Sequence, residues 1–144
     1  MIVAAFRKLV VRAAWAPIAV LVLHAVVAKT SLRNPFDFPI HFLGGASMAY
    51  VAYHALDCFK TWFGAITWLT RYLFSFCFAC TVGVFWEIGE RSLDYFLRMR
   101  IQQTLENTML DLIADATGAA AALLLVAVVG AIRRTGRSES GAPS

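Results

Sequence analysis

The sequence predicts an all-α fold, a small polytopic membrane bundle of about four transmembrane helices, and three observations predict it. Of 144 residues, 60% are hydrophobic and only 15% are charged, against roughly 25% charged in a soluble domain. The mean hydropathy is +0.67, and a soluble chain this short must leave too much surface in water to hide that much apolar area. The apolar residues also gather into four stretches, each near the roughly 20 residues that a helix needs to cross the hydrocarbon layer. The same composition excludes a disordered chain, a collagen-like repeat and a disulfide scaffold.

The elements follow in chain order. Residues 1–12 form a basic N-terminal segment with Arg7, Lys8 and Arg12. The transmembrane helical domain covers 13–132. Its first span, 13–28, carries Pro17 near the start, where proline is tolerated. Val26 and Ala28 precede Lys29 in a pattern that also suits signal-peptide cleavage, so an anchor and a removed leader both stay open. The second span, 38–59, follows the turn-prone pair Asn34-Pro35. After it, TWFGAITWLT is short and aromatic and leads into Arg71, which reads as an interfacial segment or as an extension of the next helix. The third span covers 72–89 and the fourth 108–132, closed by Arg133 and Arg134. Residues 133–144 are small, polar and basic, and are expected to form a disordered tail.

Charge placement argues against nucleic acid as a partner, despite a net charge of +4. The bases sit in short flanks between apolar segments and form no stripe interleaved with aromatics. They fit control of membrane orientation instead. With four spans, eight of the thirteen bases fall on the side of the termini: Arg7, Lys8, Arg12, Lys60, Arg71, Arg133, Arg134 and Arg137. Lys29, Arg33, Arg91, Arg98 and Arg100 fall on the other. The expected arrangement is a multi-pass protein of the cell membrane with both termini in the cytoplasm. Cys77 and Cys80 form a CFAC pair inside an apolar run with no second pair to complete a zinc site. They read as small packing residues.

The acids are sorted more sharply than the bases. Of nine, only Asp57 and Glu139 belong to the side of the termini. Asp37 and His41 open the second span, Glu87 and Glu90 close the third, and Asp111 and Asp115 open the fourth. Residues three or four apart share a helix face, so Asp37 and His41 point together, with Gly44 and Gly45 one turn further in. Glu87, Glu90 and Asp94 form a second row, and Asn107, Asp111, Asp115 and Gly118 a third. Asp115 is expected about 10 Å inside its helix. There an acid costs about 2.5–3.5 kcal/mol unless it is paired, protonated or hydrated. Gly44, Gly45 and Gly118 would draw the second and fourth helices together beside the cluster. Arg91 is the expected counter-ion and His54 a structural residue near the far end, while His24, near the outer end of the first span, reads first as lying outside the cluster and only second as a member of it. Glu106 and Asp94 read as solvated loop positions.

The stretches D-F-P-I-H-F, W-E-I-G-E and N-T-M-L-D-L-I-A-D-A-T-G-A, within residues 36–130, resemble the VanZ-like membrane proteins and the related YjdF-like group. VanZ-like proteins carry an Asp and a His four apart at a helix start, and later an Asp, an Asn four on and a Gly seven on. Asp37 and His41 match the first motif. Asp111 and Gly118 match the second, with Asp115 at the Asn position. Phe38 stands where the VanZ-like pattern has Lys, and the paired acids are closer to the YjdF-like group. The resemblance implies a polytopic membrane protein and no particular reaction, although VanZ-like proteins are associated with low-level glycopeptide resistance.

Function is therefore argued from the cluster. Carboxylates with histidine suit a hard or borderline divalent metal ion, with Asp37, His41, Glu87, Glu90, Asp111 and Asp115 as ligands or acid–base groups acting on a lipid-linked or cell-envelope substrate. No HExxH, GxSxG or glycine-rich phosphate loop accompanies them. A proton-relay or transporter element is one alternative. A non-catalytic accessory subunit is another, with a homo-oligomer or a membrane-protein partner beside the lipid bilayer.

Overall fold

The computed structural model describes residues 2–30, 33–98 and 104–139. α1 (Ile2–Leu9) continues through a π-helical turn (Val10–Ala14) into α2 (Trp15–Val27). Pro17 has no N–H to give to the carbonyl of Ala13, and its ring crowds that carbonyl. The widened turn just before it is where the helix absorbs both effects. The first helical run therefore starts at Ile2 rather than at 13.

α3 (Arg33–Cys58) begins earlier than 38, with Pro35 in its first turn. α4 (Lys60–Phe63) is one short turn, ended by Gly64 at φ +73, a left-handed conformation that suits glycine. Trp62, Phe63 and Trp68 around this break are all exposed, as befits aromatic side chains at a membrane surface. α5 (Trp68–Leu97) starts at a Thr67 cap, whose Oγ1 accepts from the backbone N–H of Thr70 at 3.1 Å. Part of the TWFGAITWLT segment thus belongs to this helix.

α6 (Leu105–Glu139) is the longest element and runs past Arg133 and Arg134. The tail expected at 133–144 is helical as far as Glu139, and Thr135, like Thr117 earlier in the helix, returns its hydroxyl to a carbonyl four residues back. Residues 140–144 of that expectation lie outside the described residues, as does Arg100 of the orientation count.

Among the described residues, three helical runs are long and apolar enough to cross a membrane: Ile2–Val27, Trp68–Leu97 and Leu105–Thr135. α3 is 26 residues long but less apolar, and its place in the bundle explains why. It is the axis against which α2, α5 and α6 all pack, and α5 and α6 also pack on each other. Its His41, Ser47 and His54 are buried against those neighbours rather than facing lipid. The outer helices carry the apolar exterior, with Leu21, Val22, Phe85, Ile88, Leu124 and Leu125 all exposed. The protein is a small helical membrane bundle.

Small residues make this packing close. Ala13, Ala49, Ala114 and Ala119 are fully buried, and Ala49, Ala79, Ala119 and Leu123 form the core with Met48, Tyr53, Tyr72 and Phe76 around it. Without a hydrophobic difference between helix and lipid, such close backbone approach is what holds membrane helices together. The cysteines are all free. Cys77 is exposed on α5, and Cys58 and Cys80 are half-buried.

Candidate metal centre

The crossing of α3 and α6 is set by two glycines. A Cβ on Gly45 would overlap the backbone carbonyl of Asp115, and a Cβ on Gly118 would overlap that of Phe42. The two backbones therefore touch reciprocally, one glycine from each helix. This contact carries the Asp37–His41 face of α3 directly onto the Asn107–Asp111–Asp115 face of α6. Gly83 does the same service on α5: a Cβ there would run into the Asp115 carboxylate. Glu87, one turn further along α5, then faces the same space.

His41 is the centre of the arrangement. Its Nδ1 lies 3.5 Å from Asp115 Oδ2, and its Nε2 lies 3.9 Å from both Glu87 Oε1 and Asp111 Oδ2. One imidazole thus meets acids from two other helices. Asn107 supplies the bridge on the outer side, its Nδ2 donating to Asp37 Oδ2 at 3.1 Å and to Asp111 Oδ2 at 2.6 Å. One donor atom each from Asp37, His41 and Asp111 falls within 4.8 Å of the others.

The charge of this group is out of balance. Relative exposures are 6% for His41, 5% for Glu87, 3% for Asp111 and 5% for Asp115. Among the described residues, no Lys or Arg pairs with any of these acids, because the Lys and Arg ion pairs all go to Asp57 at the other end. Glu87 Oε1 has no hydrogen-bond partner. α6 begins at Leu105, three residues earlier than the expected span, so Asp115 is about 15 Å from the helix start. Three buried acids against one imidazole need further positive charge, as a cation or as protons.

The structure sorts the remaining expected residues. Glu90 is turned aside and half-buried, its Oε1 accepting from Trp86 Nε1 at 3.0 Å. Arg91 is exposed and pairs with no acid among the described residues. It stands one turn after Glu87 on the same side of α5, yet its side chain stays exposed and does not turn back to the buried acids. The counter-ion expectation is corrected accordingly: the imidazole of His41 and the neutral amide of Asn107 face the acids instead. His24 packs its ring on Trp86 at 5.3 Å between centroids, which ties α2 to α5. It lines a cleft with His41 and Asp115 but ion-pairs with neither. Glu106 is exposed in the first turn of α6.

Two residues were missed. Asn107 was placed on the right row but given no part in the site, although its position four residues before Asp111 signals a side-chain contact. Gly83 carried no signal, since nothing in an apolar helix distinguishes a glycine that admits a carboxylate from one that admits a methyl group.

An all-helical membrane bundle with a buried carboxylate–imidazole cluster where three helices meet is the class of protein these features define. Residues 4–131 match the family described as Predicted membrane protein (DUF2238), and the chain belongs to that family. No curated protein and no solved structure matches it.

Proposed function

We propose that this protein binds one divalent metal ion at the junction of α3, α5 and α6, and that the ion serves chemistry on a lipid-linked or cell-envelope substrate. The observation that carries the reading is the convergence of Asp37, His41 and Asp111 donor atoms within 4.8 Å, beside a buried Glu87 oxygen with no partner. A zinc-like ion sits about 2.0–2.2 Å from each donor, which sets tetrahedral donors about 3.4 Å apart, so separations of up to 4.8 Å must close by about an ångström to share it. Mixed oxygen and nitrogen donors favour an ion such as Mn²⁺ or Zn²⁺. Bound there, the ion would polarise a substrate oxygen or lower the pKa of a water. Glu87 is then the carboxylate free to take a proton, and Asp115 fixes the orientation of the His41 ring from its Nδ1 side.

Access supports a substrate with an apolar part. A narrow cleft of about 80 Å³ between α2, α3 and α5 reaches His41 and Asp115 past Leu21, His24, Met48 and Trp86. It approaches from the side of the bundle rather than along its axis. The bases Arg12, Arg71 and Arg133 lie toward the opposite end, and the positive-inside bias supports an extracytoplasmic position for the cluster. The finer likeness to the VanZ-like and YjdF-like proteins rests on Asp37, His41, Asp111 and Gly118 and fits the same placement.

Elemental analysis of protein purified without chelator, and again after dialysis against Mn²⁺ or Zn²⁺, tests the reading. About one ion per chain is expected, lost in His41→Ala and in Asp111→Asn. Wild-type protein that takes up no ion after dialysis contradicts it.

A further inference from the structure

At the opposite end of the bundle, the backbones of α2 and α6 stay apart on either side of α3. Between them runs a groove of about 750 Å³, within the roughly 300–1,000 Å³ typical of small-molecule sites. Its walls are apolar along most of their length, with Ala19 and Val20 from α2, Ala46 from α3, and Ala122, Val126 and Val129 from α6. Its mouth is different. Arg12 and Arg133 stand there with Tyr50 and His54, and Arg71 lies nearby, donating to the carbonyl of Tyr53 at 2.8 Å and 3.0 Å.

Charge is again unbalanced, now in the positive sense. Three guanidinium groups face one carboxylate, Asp57, which takes Arg12 at 2.8 Å and Arg71 at 3.8 Å. Arg133 is exposed and forms no ion pair among the described residues. A second, independent observation concerns His54. It is 8% exposed, held edge-on between the rings of Tyr50 and Tyr53 at 4.4 Å and 5.5 Å, and its Nδ1 has no hydrogen-bond partner. A buried ring nitrogen in the lining of the groove lacks the polar partner that such groups normally have.

We infer that this groove holds one anionic phospholipid, its acyl chain between α2 and α6 and its head group at Arg133, Arg12 and His54. The apolar walls suit the chain, and the surplus cations suit a phosphate. A second protein helix would satisfy the walls but would have to bring its own anion to the same depth. The site is distinct from the carboxylate–imidazole cluster and does not depend on it.

Trp15 lines the groove, which gives a direct probe. The full chain, with Trp62, Trp68 and Trp86 changed to Phe, is reconstituted in phosphatidylcholine vesicles containing small fractions of brominated phosphatidylglycerol or brominated phosphatidylcholine. Bromine in the groove quenches Trp15. Quenching by the anionic lipid is expected at a mole fraction about fivefold lower than by the zwitterionic one, the effect of one unpaired base on an anionic head group. Arg133→Gln should remove that preference while leaving the circular dichroism and Trp15 emission of lipid-free protein unchanged. Ala122→Phe, which narrows the groove, should weaken quenching by both lipids. Equal quenching by the two lipids overturns the inference. So does a preference that survives Arg133→Gln, or a Leu125→Cys variant that cross-links to a second copy with Trp15 shielded from either bromolipid.

Discussion

Gly45 of α3 lies against the backbone carbonyl of Asp115 of α6, at a distance that leaves no room for a Cβ. The residue that forces the two helices into contact is thus the neighbour of the deepest acid in the cluster. Packing and site are joined at one point, because the same crossing that buries Asp115 also brings His41 to it.

Gly45→Ala and Gly118→Ala should each push α3 and α6 apart. Overpacking of this kind costs about 1–3 kcal/mol. Gly89, with nothing within 4 Å of a Cβ, is the matched control and should accept alanine without loss. Thermal unfolding in one detergent, compared across the three variants, checks this, with metal retention falling in the first two only.

Asn107→Ala should leave the helices in place and weaken the site. The amide spans two acids on different helices, and losing such an outer partner typically lowers metal affinity 10–100-fold. Asn107→Asp should bind the ion at least as tightly as wild type while lowering the stability of the metal-free protein, since it adds a third carboxylate beside Asp37 and Asp111 and removes their shared donor. Titration with Mn²⁺ and unfolding of the apo form separate the two effects.

Much of this was legible in the sequence, for a physical reason. Charge in a membrane is so costly that its position alone marks the interior, which is why Asp37, His41, Glu87, Asp111 and Asp115 could be placed on three converging helix faces. The glycines at 45 and 118 were readable for the same kind of reason, as small residues in register with that face. Glu90 was not distinguishable from Glu87. Both sit in the C-terminal half of α5, three residues apart, and Glu90 is told from Glu87 by its bond to the indole of Trp86, one turn before it. The length of α3 was legible, but its role as the axis was hidden. Its lower hydropathy reads as a weak span, when it reflects a helix enclosed by three others.

Metal binding should tighten as pH rises. The ligands bind in the deprotonated form, so protons compete with the ion at His41 and at the buried carboxylates. The apparent affinity is therefore expected to increase between about pH 6 and pH 8, with a shallower dependence in His41→Gln. An affinity independent of pH would place the ion elsewhere.

Removing the ion should destabilise the bundle reversibly. With free metal at about 100 times its dissociation constant, the bound form gains about 2.7 kcal/mol, and a chelator abolishes that gain. Melting with and without chelator, followed by metal re-addition, reads it directly. Glu87→Gln should raise the stability of the chelated form, because it removes one uncompensated buried charge.

Orientation has its own check. Reporter fusions at both ends of the chain should report the cytoplasm, and a cysteine placed at Glu106 should react with an impermeant thiol reagent from outside. Cysteine labelling from the cytoplasmic side alone would invert the arrangement.

Pulsed electron paramagnetic resonance of the Mn²⁺-loaded protein tests the central claim most directly, because it detects a nitrogen bound to the ion. A single directly coordinated ¹⁴N is expected, present in wild type and Glu90→Gln and absent in His41→Gln. A Mn²⁺ signal without nitrogen coupling, or a coupling that persists in His41→Gln, would contradict it.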